Sequence, residues 1–90
     1  MATVAIVDDQ PYIRKFLRTV LTARGHQVLD EGRGEDALAL CGAMHPDILI
    51  ADLLMPGVDG YELVRRLRSN PDTAGIRVIF FTGLPEGNEA

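Results

Sequence analysis

The stretch Ile48-Leu-Ile-Ala-Asp-Leu-Leu-Met-Pro-Gly-Val-Asp-Gly60 contains a strand, an acid at its end and the start of a helix. Ile48–Ala51 is an uninterrupted apolar run of strand length that stops at Asp52. Asp59 followed by Glu62 has the spacing of a helix N-terminus with its reciprocal cap. Beyond it, Leu63, Val64 and Leu67 share one helical face, expected to point inward, while Arg65, Arg66 and Arg68 are expected to face water. A strand with no polar alternation has to be covered on both faces, which is the condition met in parallel sheets flanked by helices.

The same unit recurs on either side. Val4–Val7 is a second apolar run, after Thr3 and before the pair Asp8-Asp9. From Pro11 to Arg24 the residues Ile13, Phe16, Leu17, Val20 and Leu21 recur at helical spacing, which predicts an amphipathic helix ended by Gly25. The next strand, near Gln27–Asp30, offers only Val28 and Leu29 as strong hydrophobes and suits a sheet edge. Gly34–Met44 reads as a helix with Glu35 and Asp36 in its first turn, where the helix dipole favours anions, and His45-Pro46 ends it. On that helix Cys41 is expected to face inward with Ala37, Leu38 and Met44. Asn70–Gly75 is a loop, and Val78–Phe81 is a third apolar run, read as strand four and apolar on both faces.

Strands alternating with helices imply parallel pairing through right-handed crossovers, so the fold class is α/β with a doubly wound parallel sheet. Such sheets bind ligands beyond the carboxyl ends of their strands. That rule places Asp8, Asp9, Asp52 and Thr82 on one rim, and His26 and His45, which precede strands, on the other.

Composition narrows the function classes. The chain has 90 residues and reads as one domain, residues 1–90. A chain this size buries roughly 60–65% of the surface its unfolded form exposes, enough for a modest core. The formal net charge is −4, so no nucleic-acid face is expected in this segment, and Arg65, Arg66 and Arg68 read as a solvated patch. One cysteine excludes an internal disulfide, and no Cys/His cluster suggests zinc. No signal peptide or membrane span is visible, which makes the cytoplasm the expected location. Of nine cationic residues only Lys15 is a lysine.

Three carboxylates converging from two strands need a partner. At about 5 Å and an effective dielectric near 20, each pair repels by roughly 3 kcal/mol. The cluster therefore holds either a proton or a cation. Oxygen donors on a partly open rim suit Mg²⁺ or Mn²⁺. The plainer alternative is that Asp8 or Asp9 caps the first helix while Asp52 merely ends a strand.

The runs Val4-Ala-Ile-Val-Asp-Asp-Gln-Pro11, Ile48 to Gly60 as quoted, and Val78-Ile-Phe-Phe-Thr-Gly83 together resemble the receiver domain of two-component response regulators. The resemblance implies a flavodoxin-like sheet of order 2-1-3-4, with the family's fifth strand and last helix absent from these residues. It implies that Asp52 is the phosphoacceptor, that Asp9 is a direct metal ligand, and that Asp8 holds metal-bound water. The backbone carbonyl of Leu54 would complete the protein ligands, Thr82 would hydrogen-bond the phosphoryl group, and Gly83 would leave the approach open. The partner implied is a histidine kinase or phosphotransfer protein, and the chain would be a signalling module, not an enzyme. Receivers also carry a lysine after strand five, which Lys15, in the second turn of the first helix, does not replace. Its absence predicts slow phosphorylation of these 90 residues alone, and the missing strand predicts self-association through strand four.

Two rival readings compete with this one. Gly32-Arg-Gly-Glu-Asp-Ala37 matches the dinucleotide pattern G-x-G-x-x-A, but Glu35 and Asp36 would stand where a pyrophosphate must bind. A receiver that never carries phosphate and serves only for docking or dimerisation is the other; its acidic set would then have no task.

Overall fold

Strands and helices alternate along the chain: β1 (Thr3–Val7), α1 (Pro11–Ala23), β2 (Gln27–Glu31), α2 (Gly34–Met44), β3 (Ile48–Ala51), α3 (Gly60–Ser69) and β4 (Arg77–Phe80). This is a computed structural model, and it describes residues 1–81. Every strand pair is parallel, in the order β2-β1-β3-β4, so β2 is indeed an edge. Register partners run Ile6 to Ile50 to Ile79 on one face and Val7 to Ala51 to Phe80 on the other.

That alternation creates two apolar layers. Ala5, Val7, Leu49 and Ala51 pack with Ala37, Cys41, Leu63 and Leu67, beneath α2 and α3. Val4, Ile6 and Val28 lie on the other face against Leu17 and Leu21 of α1. Cys41 is fully buried, and burial pushes its thiol up to about 11, which makes it a core residue without reactivity.

Two expectations of burial need correction. Phe16 and Val20, read as inward, are 58% and 39% exposed, and no residue of α1 is fully buried. The helix lies over β1 and β2, and Ile79 on the same face of β4 is itself left exposed. Only one side of the α1 stripe therefore finds sheet beneath it. Met44 is also exposed, because it is the last residue before left-handed His45 (φ 47°) turns the chain away. β4 is the outermost strand of the described sheet, as the expected order 2-1-3-4 requires, and it runs from Arg77 to Phe80, one residue earlier than the apolar run Val78–Phe81.

The charged residues of α3 and its cap do more than face water. Asp59 caps α3 by accepting from the Glu62 N–H at 2.9 Å, yet Glu62 does not reach back. Its carboxylate pairs with Arg65 and Arg66 at 2.6 and 2.8 Å, which pulls its pKa down to about 2. Arg68 donates to the carbonyls of Ala74 and Ile76 at 2.8 and 2.7 Å and so ties down the α3–β4 loop.

Gly34 accounts for its own place in the dinucleotide-like pattern. It opens α2 against the loop before α3, and a Cβ there would collide with the Val58 carbonyl oxygen and side chain. Gly34→Ala is expected to cost about 1–3 kcal/mol, the usual penalty of overpacking, read as a lowered urea midpoint. A midpoint equal to wild type would show that the α2–loop contact yields freely. Among the described residues, no helix is long and apolar enough to cross a membrane.

Candidate functional site

β1 and β3 are parallel neighbours, so their carboxyl ends lie side by side. Val7 and Ala51 are register partners, and the Asp52 N–H extends the pairing by donating to the Val7 carbonyl at 2.9 Å. Asp8 and Asp52 therefore leave the sheet at the same level. Carboxylate oxygens of Asp8, Asp9 and Asp52 lie within 4.8 Å of one another, the one such acidic group among the described residues. Asp8 is buried at 3% exposure, Asp52 is half-buried and Asp9 is open to solvent.

Local hydrogen bonds fix two of the three. Asp8 Oδ1 accepts from the Gln10 N–H at 2.8 Å, which shapes the turn into α1. The helix itself is preceded by Gln10 with no side-chain cap, so neither Asp8 nor Asp9 has the capping role of the plainer reading. Asp52 Oδ1 accepts from the Leu54 N–H at 3.2 Å, folding the chain back on itself after β3. That bond brings the backbone of Leu54 to the cluster while its side chain points out, 69% exposed.

Burial and like charge act together on these acids. Burial, then the charges of Asp52 and Asp9, raises the Asp8 pKa against the opposing pull of the Gln10 N–H and Arg14. Burial and the charge of Asp9 likewise raise that of Asp52, opposed by the N–H groups of Leu54 and Leu53. Water around exposed Asp9 softens the repulsion without removing it. The donors are all oxygens and one side of the cluster is open, which fits a hard divalent cation that keeps several waters.

Thr82 and Gly83, read as phosphoryl-facing residues, lie outside the described residues. Lys15 is exposed on α1, as expected of a surface charge. His26 is more than a turn residue: its Nδ1 accepts from the Ala2 N–H at 3.1 Å, at the rim away from Asp52.

Two residues escaped the sequence reading. Gly60 lets the first turn of α3 press on the backbone of Asp52, since a Cβ there would stand 2.7 Å from the Asp52 carbonyl oxygen. Its presence in the quoted stretch is a signal, but the contact it permits is not legible without the fold. Arg14 donates to the carbonyl of Asp8 at 2.6 Å, and nothing in the helical pattern of α1 distinguishes it from its cationic neighbours.

Comparison with known proteins bears on all of this. The family model of the response regulator receiver domain matches residues 4–90. The chain is 39% identical over 82 residues to Protein PilH of Pseudomonas aeruginosa, covering 91% of this chain and 68% of that protein. It is 38% identical over 86 residues to the phosphate regulon transcriptional regulatory protein PhoB of Rhizobium meliloti. That match covers 96% of this chain but only 38% of the relative, so the chain spans well under half of the longer protein. The fold superimposes on the N-terminal domain of a response regulator receiver protein from Methanoculleus marisnigri with a TM-score of 0.90 at 31% identity, covering 99% of this chain and 72% of that one.

Proposed function

The chain belongs to the response regulator receiver family, and we propose that Asp52 accepts a phosphoryl group from a histidine kinase or phosphotransfer protein, with Mg²⁺ or Mn²⁺ bound alongside. The observation that carries this reading is the convergence of Asp8, Asp9 and Asp52 within 4.8 Å at the ends of two adjacent strands. Asp9, open to solvent, and Asp52 would ligate the cation directly, together with the backbone carbonyl of Leu54. Asp8, buried and already tied to Gln10, would hold water in the cation's shell.

A bound divalent cation would supply positive charge against the equatorial oxygens of the phosphoryl group, which is most of what phosphoryl transfer needs. A carboxylate oxygen of Asp52 forms the new bond to phosphorus as the bond from phosphorus to the donor imidazole breaks. The electron pair stays on the imidazole nitrogen. Thr82 would donate its hydroxyl to a phosphoryl oxygen, and Gly83 would leave the approach unobstructed. The chain is thus itself the acceptor, not an enzyme acting on a separate substrate, and works in the cytoplasm beside its donor. Acetyl phosphate with Mg²⁺ should add one phosphoryl mass to the peptide containing Asp52. An adduct on another peptide would overturn the assignment.

The 90-residue chain is also expected to self-associate. β4 is the outermost described strand, and Ile79 and Phe80 on its two faces are 52% and 43% exposed. Sedimentation at tens of micromolar should reveal species larger than the monomer, and Ile79→Lys should reduce them. A monodisperse wild-type monomer would refute the edge argument.

A further inference from the structure

Arg14 lies in the first turn of α1, with its side chain 23% exposed between the ends of β1 and β2. Its Nη1 donates to the backbone carbonyl of Asp8 at 2.6 Å, while its Nε stands 3.5 Å from Asp30 Oδ2. Asp30 is fixed in turn by Arg18, whose Nη2 donates to its other oxygen at 2.7 Å. Gly32 closes the space behind: a Cβ there would stand 2.9 Å from Arg14 Nη1.

The guanidinium thus spans from the edge strand to the residue that starts the acidic loop. The side chain of Asp8 turns one way, to Gln10, and its carbonyl is held the other way, by Arg14. We propose that Arg14 is a positioning residue for the cation site, gripping the Asp8 carbonyl and Asp30 together so that the loop presents Asp8 and Asp9 to Asp52. The inference rests on reading the acidic cluster as a cation site. Arg14 touches neither cation nor phosphoryl group. A planar fork suits the task, because one group must reach a carbonyl and a carboxylate at once.

Calorimetric titration of Mg²⁺ into the folded chain tests this, with circular dichroism melts recorded on the same samples. Arg14→Ala should weaken Mg²⁺ binding about tenfold, in the range of losses seen when groups behind a metal ligand are removed. Arg14→Lys should recover part of the loss, since one ammonium reaches the Asp8 carbonyl without forking to Asp30. Gly32→Ala, which crowds the guanidinium, should weaken binding in wild type and add nothing in the Arg14→Ala background. Leu21→Ala loosens the same helix away from the rim and should lower the melting temperature without changing Mg²⁺ affinity. Wild-type affinity in folded Arg14→Ala, or an equal effect of Gly32→Ala in both backgrounds, would overturn the role of Arg14 and leave the cation site standing. Should Arg14→Ala fail to fold, Gly32→Ala and Arg14→Lys decide alone: wild-type affinity in both overturns the proposal. A wild-type chain that binds no Mg²⁺ overturns the site and the proposal together.

Discussion

Asp52→Asn is expected to abolish phosphoryl labelling, with a fall of at least about 10³-fold, as for replacement of other nucleophiles. The amide keeps the size of the carboxylate and an oxygen able to accept from the Leu54 N–H, so the fold at the end of β3 should be retained. What it loses is the charge that makes the oxygen a nucleophile. The two neighbouring acids do not offer an easy detour. Asp8 is 3% exposed, with one oxygen engaged by the Gln10 N–H, so its approach to an in-line phosphorus is closed. Asp9 is exposed, and residual labelling of the variant, if any appears, should map to it. The measurement is intact and peptide mass after acetyl phosphate and Mg²⁺, made on the chain extended to the length of its receiver relatives. A receiver's lysine after its fifth strand would add one cation at the phosphoryl group, worth on the order of 10²–10³ in rate. Labelling at the wild-type level would show that Asp52 is not the acceptor.

The acids of this site were legible because their meaning is set by strand ends. Val4–Val7 and Ile48–Ala51 are apolar throughout, so where each run stops is unambiguous, and parallel pairing brings Asp8 and Asp52 to the same level. The helices were legible in existence but not in depth. The period of α1 identifies an apolar stripe through Phe16 and Val20, but it carries no information about how much sheet lies below, and both residues are exposed. The edge position of β4 followed from the strand order and not from its own pattern. Four apolar residues in a row look interior, whereas exposure depends on neighbours that lie elsewhere in sequence. Arg14, Arg68 and Gly60 act on backbone carbonyls, those of Asp8, of Ala74 and Ile76, and of Asp52. A carbonyl's direction is a property of the folded chain, so residue types and spacing could not point to these contacts.

Asp9→Ala is expected to separate metal affinity from intrinsic stability. Asp9 is exposed, and its charge is one cause of the raised pKa values of both Asp8 and Asp52. Its removal relieves repulsion, so the metal-free variant should melt no lower than wild type and slightly higher at low salt. The gain from Mg²⁺ should instead largely vanish, because a direct ligand is lost. At a Mg²⁺ concentration one hundred times the wild-type Kd, binding stabilises the wild type by about 2.7 kcal/mol. A variant bound a hundredfold more weakly gains only about 0.4 kcal/mol under the same conditions. Asp8→Ala should behave differently. It leaves the Gln10 N–H without the acceptor that shapes the turn, which is a cost in the metal-free state, while a water-mediated role makes its effect on Mg²⁺ smaller. The two variants should therefore rank in opposite order, Asp9→Ala losing more in affinity and Asp8→Ala more in metal-free stability. Melting curves with and without Mg²⁺, supported by calorimetric titration, measure both quantities on the same protein. Equal Mg²⁺ affinity in wild type and Asp9→Ala would refute the cation site as drawn.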